Sequence, residues 1–235
     1  MHVKIEVTLM FSTPFNVGTG ALAGTVADKP MLKDAWRVPY VPGSSFKGKL
    51  RHECEKIVRA LTETDDTVCY SPNADTMCPQ RRPPEDPYCP VCRVFGSPWY
   101  PAPFTFSDLR LRDDLYGFFF KRAAALKTRT RFGVGISRRR GVAQEDLLYT
   151  TEVWPQDLDK LVFTGCVEGE IASRRELWQV ALILAGMRSL YALGGGKSRG
   201  MGWSRVQAAN GVVKLNGQEE QIKVREELER WLGKR

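Results

Sequence analysis

A chain of 235 residues is long enough to bury a core without disulfide staples and fits one or two domains. Apolar residues make up 43% and charged residues 26%, which excludes a disordered tail, a collagen-like rod and a small cystine scaffold. Lys and Arg number 35 against 27 Asp and Glu, and the net charge of +8 points to a polyanion, most often nucleic acid; a basic, solvated surface is the plainer alternative.

Val3, Ile5, Val7 and Leu9 alternate with Lys4, Glu6 and Thr8, the period-two signature of a half-buried strand. Met1 to Phe15 has no continuous apolar stretch, and no run reaches the roughly 18 apolar residues of a membrane span. A cytoplasmic chain without signal peptide or membrane partner is therefore expected. Ser12 to Pro30, with Gly18, Gly20 and Gly24, reads as a flexible loop, and Arg37 to Pro42 as an extended piece in which proline blocks helix. Ser44-Ser45 opens a helix whose Phe46, Leu50, Cys54, Ile57 and Leu61 share one face. Lys47, Lys49 and Arg51 crowd its first turns against the macrodipole, an arrangement that suits an anion at the free N–H groups. From Asp65 to Pro103, proline and acid are dense and periodicity is lost, as in an insertion held by something other than a core. Phe104 to Leu111 reads as a strand. Lys121 to Arg140 carries eight basic residues (Lys121, Arg122, Lys127, Arg129, Arg131, Arg138, Arg139 and Arg140) and no acid. Phe132, Val134 and Ile136 alternate within it, and Leu147, Tyr149 and Thr151 start a second run. An antiparallel hairpin with an arginine-rich tip is predicted. Val162 to Ile171 is a further strand. Ser173 and Glu176 form a capping box before a buried helix that stops at Gly194-Gly195-Gly196. Trp203 to Val206 and Val212 to Leu215 read as closing strands, and Ile222 to Leu232 as a last amphipathic helix. There is no internal repeat. The order β-loop-α-β…β-α-β suits an α+β ferredoxin-like core, a fold that by itself names no function.

Four stretches could carry chemistry. Cys69, Cys78, Cys89 and Cys92 can close a tetrahedral Zn²⁺ site, structural because four thiolates leave no open position, and able to order an apolar-poor segment. Reduced thiols in a surface loop, or a redox Cys-x-x-Cys pair, are the alternatives. Cys54 and Cys166 read as core residues, with Cys54 a reserve ligand. Gly194 to Gly202 contains Gly196-Lys197-Ser198, but a P-loop needs glycine where Tyr191 stands and a preceding strand rather than a helix. What remains is a glycine-rich turn whose Lys197 and Arg199 can neutralise phosphate, or a plain helix C-cap. The basic hairpin is a phosphate-binding arm, or an edge hairpin protected by charge. Asp28 is the only carboxylate between Glu6 and Asp34, and a lone loop aspartate carries no assignment by itself. The two histidines, His2 and His52, set aside His-pair RNA cleavage and His-rich catalytic metal sites.

The string Asp28-Lys29-Pro30 through Val41-Pro42-Gly43-Ser44-Ser45-Phe46-Lys47-Gly48-Lys49-Leu50-Arg51 resembles the start of the RAMP superfamily, in particular the repeated backbone subunit of type III CRISPR effector complexes. Gly194 to Gly202 resembles the superfamily's glycine-rich loop. Cys89-Pro90-Val91-Cys92-Arg93-Val94-Phe95-Gly96-Ser97 resembles its zinc-containing branch. The likeness spans nearly the whole chain. It implies one RAMP domain over 1–235 with an RRM-like ferredoxin core, a zinc-binding insertion at 65–103 and a thumb-like projecting hairpin at 121–153. It implies stacking with copies of itself and other effector subunits along a CRISPR guide RNA. Complementary target RNA would be cut by Asp28 with a divalent cation, Mg²⁺ or Mn²⁺, leaving 2′,3′-cyclic phosphate ends. Ser44, Ser45, Lys47, Lys49 and Arg51 would hold guide phosphates, as would Gly195, Gly196, Lys197, Ser198 and Arg199 in the glycine-rich loop and Arg129, Arg131, Arg138, Arg139 and Arg140 in the hairpin. The competing readings are an RNA-binding scaffold with Asp28 idle, a repeat-RNA-processing endoribonuclease using His52, and a zinc-ribbon nucleic-acid module outside CRISPR.

Overall fold

The computed structural model describes residues 1–20, 27–80, 82–113, 117, 128–154, 162–207 and 211–233. Among these, seven strands form one antiparallel sheet and two more form a separate hairpin. In chain order the strands are β1 (His2–Phe11), β2 (Phe104–Phe106), β3 (Arg110–Leu111), β4 (Arg129–Ile136), β5 (Ala143–Val153), β6 (Val162–Glu170), β7 (Ser204–Val206), β8 (Val212–Leu215) and β9 (Gln218–Gln221). The helices are α1 (Gly43–Thr62), α2 (Pro90–Phe95), α3 (Leu177–Ser189) and α4 (Val224–Leu232). β1 lies at the centre, with β6 on one side and β7 and β8 on the other. β2 and β3 pair with the far edge of β6, and β9 closes a hairpin with β8. Since every pairing is antiparallel, β1 runs parallel to β2, and β6 parallel to β7. Two β-α-β units result, with α1 and α3 as crossovers.

The alternation of β1 decides which face is covered. Val3, Ile5, Val7 and Leu9 are fully buried in one cluster with Phe46, Leu50, Cys54 and Val58 of α1 and Val180, Ala181, Leu184 and Met187 of α3. The other face carries cross-strand ion pairs instead: Lys4 Nζ lies 2.5 Å from Glu168 and Lys214 Nζ 2.6 Å from Glu6. The two helices cross where Gly186 leaves room, since a Cβ there would sit 2.6 Å from Cys54 Sγ. α1 starts hard against β2; a Cβ on Gly43 would fall 2.1 Å from Phe106 O, which explains the glycine of the Pro42-Gly43-Ser44 turn.

Several expectations change. The strand read over Phe104 to Leu111 is broken into β2 and β3, because Asp108 turns aside to accept the Gly43 N–H at 2.9 Å and Leu109 pairs with Val41. The loop from Ser12 is packed where it is described. Phe15 is fully buried, its ring stacked on Phe11 at 3.9 Å and edge-on to Phe163 at 5.6 Å, and Phe15 pairs with Trp154. The insertion is not free of core either, because Val68, Met77, Val91, Val94 and Phe95 join the main apolar cluster. Helix α3 ends at Ser189, short of the glycines, because Ala192 pairs with Trp203. The hairpin's second strand begins at Ala143 rather than Leu147. Lys121, Arg122 and Lys127 lie outside the described residues.

Leu184 is fully buried, so Leu184→Ala should lower unfolding stability by about 2–5 kcal/mol. Glu6→Ala on the solvated face should cost under about 1 kcal/mol in the same urea titrations. Equal losses would contradict the assignment of the two faces.

Candidate nucleic-acid interface and metal centre

Three separated pieces of sequence meet at the root of the hairpin. Lys29 pairs with β5: its N–H donates to Thr150 O at 3.1 Å, and the Glu152 N–H donates to Lys29 O at 3.1 Å. The side chain of Asn16, 4% exposed, donates to Glu152 O at 2.6 Å and to Lys29 O at 3.3 Å. The Asn16 carbonyl in turn accepts the Gly195 N–H at 2.8 Å. Gly194 must be glycine for this approach: its φ is +94° and a Cβ would lie 2.3 Å from Asn16 O. The buried Glu152 carboxylate is satisfied by Lys33, Thr128 and, at 2.8 Å, the Met31 N–H.

The hairpin, Lys29 and the glycine-rich loop enclose a cavity of about 610 Å³. Arg131, Gly195, Gly196, Ser198 and Arg199 from the sequence reading all line it, together with Asn16, Lys29 and Tyr149. Tyr149 lies opposite Gly133 and is approached by two cations, with Lys29 Nζ 4.9 Å and the Arg199 guanidinium 5.3 Å from its ring centre. Arg199 also donates to the Tyr149 hydroxyl. Two cations and an aromatic ring beside a glycine-rich backbone suit a phosphate with an adjoining base or sugar.

Asp28 is exposed beside this cavity. Its Oδ2 accepts the Thr150 N–H at 2.6 Å and the Thr150 hydroxyl at 2.9 Å, and its own N–H donates to Thr150 Oγ1 at 2.9 Å. These bonds, the backbone one foremost, hold the carboxyl below its ordinary value of 3.8. Asp28 is thus an anion throughout the neutral range and a weak proton acceptor.

The other cations are dispersed. Arg138, Arg139 and Arg140 form the exposed turn of the hairpin, and Arg129 starts β4 on an exposed position. Ser44 and Ser45 are exposed in the first turn of α1, where Asp108 already accepts the Gly43 N–H. Lys47 is half-buried with its Nζ 5.6 Å from the Phe106 ring, and burial lowers its pKa. Lys49 pairs with Glu53 and lies 5.6 Å from the Tyr191 ring. Lys197 stands in a short 3₁₀ turn, its pKa lowered by burial and then by Lys49, so the glycine-rich loop and α1 do converge. Arg51 reaches the cysteines instead, its Nη2 donating to Cys92 Sγ at 3.3 Å. Asn16, Lys29, Thr150 and Glu152 carry no site assignment in the sequence, nor does Tyr149; Lys29, within the Asp28-Lys29-Pro30 motif, and Tyr149, an aromatic within the alternating hairpin, leave a local signal.

Cys69, Cys78, Cys89 and Cys92 are buried, with all four Sγ atoms within 4.8 Å of one another. Cys69 Sγ lies 3.4 Å from Cys92 Sγ and 3.8 Å from Cys89 Sγ, too far for disulfides. A tetrahedron with metal–sulfur bonds near 2.3 Å has edges of about 3.8 Å, so the four sulfurs fit a metal ion. Sulfur–sulfur hydrogen bonding, led by Cys78, lowers the Cys69 thiol to about 7, while the same contacts raise Cys78 and Cys92. Four sulfurs this close cannot all become thiolates without a cation between them. Cys54 is not a fifth candidate: it is buried between α1 and α3, donates to Leu182 O at 3.3 Å, and burial pushes its thiol well up.

A family model described as the RAMP superfamily matches residues 8–205. The chain belongs to the RAMP superfamily. It is also 30% identical over 146 residues to the protein named CRISPR system Cms endoribonuclease Csm3 from Mycobacterium tuberculosis (strain ATCC 25618 / H37Rv). That match covers 58% of this chain and 54% of the relative, so the chain spans about half the length of the curated relative it matches. All three pieces that meet at the hairpin root lie inside the matched family segment. No helix among the described residues is long and apolar enough to cross a membrane.

By NMR titration, the Asp28 carboxyl should have a midpoint below 3.8, and Thr150→Val should return it toward that value. The charge is present above the ordinary midpoint and is lost only as pH falls through the lowered one. A midpoint at or above 3.8 in the unmodified chain would refute the Thr150 clamp.

Proposed function

We propose that this RAMP protein is a guide-RNA-binding backbone subunit of a cytoplasmic type III CRISPR ribonucleoprotein, and that Asp28 cleaves the complementary target RNA. The observation that carries the reading is the clamping of Asp28 by Thr150 beside a cation-lined cavity. The name of the Mycobacterium tuberculosis relative supports an endoribonuclease role. The strand order (β2/β3)-β6-β1-(β7/β8) with helical crossovers α1 and α3 supports the ferredoxin-like, RRM-like core. The hairpin supports the thumb: Phe132, Val134, Ile136 and Leu148 are 47–74% exposed, an apolar edge able to wedge between stacked bases or meet the next subunit.

In this reading Lys29, Arg131, Arg199 and Lys197 hold guide phosphates, and Gly195, Gly196 and Ser198 let the strand approach the loop closely. Ser44, Ser45, Lys47 and Lys49 extend the track, and Arg129 and Arg138 to Arg140 serve the hairpin. Such contacts fix register and carry no base information. The target strand brings its own nucleophile, the 2′-hydroxyl, so the protein need only splay one nucleotide and align it in line with phosphorus. A depressed pKa makes Asp28 a poor general base, and favours an electrostatic role. With phosphate oxygens it would hold Mg²⁺ or Mn²⁺, which supplies charge neutralisation at phosphorus. Thr150 keeps the carboxylate ionised and aimed. Cys69, Cys78, Cys89 and Cys92 hold a structural Zn²⁺ that orders the insertion. His52 lies on α1, 4.0 Å from Glu55 and away from the cavity, so nothing favours repeat processing through it.

In the assembled complex, Asp28→Ala should lower target cleavage at least 100-fold while guide RNA remains bound. Cleavage at the same sites and speed would leave a scaffold only. Purified protein should hold about one zinc per chain by elemental analysis. The zinc should leave as pH falls and the thiolates protonate, opening residues 65–103 to protease. Absence of metal at neutral pH would reject the zinc site.

A further inference from the structure

We infer that Arg51 is a positioning residue of the cysteine centre: its guanidinium donates to the Cys92 sulfur and compensates the charge of the metal-bound thiolates. The inference rests on the metal reading of the four cysteines and is independent of the RNA reading. By sequence Arg51 belongs with Lys47 and Lys49, yet its side chain is 14% exposed and every nitrogen is engaged. Nε donates to Glu55 Oε1 at 3.1 Å, Nη1 to Gly96 O at 2.8 Å and Nη2 to Cys92 Sγ at 3.3 Å. The planar fork thus joins α1 to both the ligand and the turn that ends α2.

Two neighbours on the same stripe of α1 complete the clamp. Glu55 accepts the Ser71 hydroxyl at 2.7 Å, and Arg59 donates to Cys69 O at 3.2 Å with its guanidinium 5.3 Å from the Tyr70 ring. Positions 51, 55 and 59 recur every fourth residue, so they line one side of the helix. Arg51 holds the limb that carries Cys89 and Cys92; Glu55 and Arg59 hold the limb that carries Cys69.

The sulfurs are not equivalent. Cys78 Sγ accepts the Cys89 N–H at 3.2 Å, and Cys89 Sγ accepts the Cys92 N–H at 3.4 Å. Cys92 receives its donor from a side chain, and that donor is a full cation. Four thiolates around Zn²⁺ carry a net charge of −2 in a buried setting, which is costly without a counter-charge in contact. Among the described residues Arg51 is the cation hydrogen-bonded to a ligand sulfur. Outer partners of this kind typically change metal affinity about 10- to 100-fold. The same arginine joins the metal to the helix whose first turn presents Ser44 and Ser45, so metal loading braces that helix.

The test compares Arg51→Met and Arg51→Lys with the unmodified full-length chain. Zinc affinity is read by chelator competition, the thiolate-to-metal charge-transfer band by Co²⁺ substitution, and guide-RNA affinity as a function of salt. Arg51→Met should weaken zinc binding about 10- to 100-fold and shift the Co²⁺ band. Arg51→Lys, which keeps the charge and loses the fork, should fall between and remains informative if the methionine variant does not fold. The salt slope of RNA binding should not change. Unchanged zinc affinity and band, with a salt slope reduced by the ~0.7 expected of one lost phosphate contact, would overturn the assignment in favour of RNA binding. An unmodified chain that takes up neither zinc nor cobalt would overturn the metal reading and this inference together.

Discussion

The buried amide of Asn16 sits where the three pieces of the candidate site meet. Its side chain donates to carbonyls of the Asp28 loop and of β5, and its backbone carbonyl accepts from the glycine-rich loop. Removing the amide would leave the Glu152 carbonyl without this donor, and a buried group that loses its partner costs about 1–3 kcal/mol. Thirteen residues separate Asn16 from Lys29, and 136 separate it from Glu152. The core brings these segments close; Asn16 sets their spacing. Its own position is anchored by the neighbouring Phe15, which is packed on Phe11 and Phe163. A cluster of three aromatic rings at the end of β1, two stacked and the third edge-on, is therefore the physical base from which the site is built.

Electrostatics then divides the molecule. The open face of the sheet is neutralised by cross-strand ion pairs and has no aromatic surface of its own in β1, where Lys4, Glu6, Thr8 and Met10 alternate outward. Among the described residues, Arg129, Arg131 and Arg138 to Arg140 of the hairpin gather with Lys197 and Arg199 of the glycine-rich loop on another part of the molecule. Lys29 and Arg199 reach one tyrosine ring from two segments. Placing a carboxylate next to such a field favours its ionised form, and the two Thr150 donors reinforce this. Asp28 remains charged because hydrogen bonds from Thr150 hold its ionised form.

The main elements were legible because period-two and period-four patterns are local. β1, α1, the hairpin, β6 and the last helix all follow from side-chain alternation. The four-cysteine centre was legible because thiolate ligands need neighbours of the same type and little else. Asp28 stood out only through the family resemblance, since its chemistry depends on Thr150, 122 residues away. The direction of the Arg51 side chain was not legible for a related reason. A basic residue in the first turns of a helix looks alike whether it faces solvent or a sulfur, and its rotation toward the insertion is a property of tertiary packing. The break at Asp108 likewise follows from a long-range bond to the start of α1 that no local pattern reveals.

The central claim is that one asparagine couples the Asp28 loop, the hairpin root and the glycine-rich loop. Amide hydrogen exchange on Asn16→Ala measures this directly. The account predicts that the amides of Lys29, Glu152 and Gly195 exchange faster together, about 10-fold or more for a loss of 1.4 kcal/mol, while Ile5 in the sheet centre keeps its protection. Acceleration at one of the three alone, or at none, would contradict it.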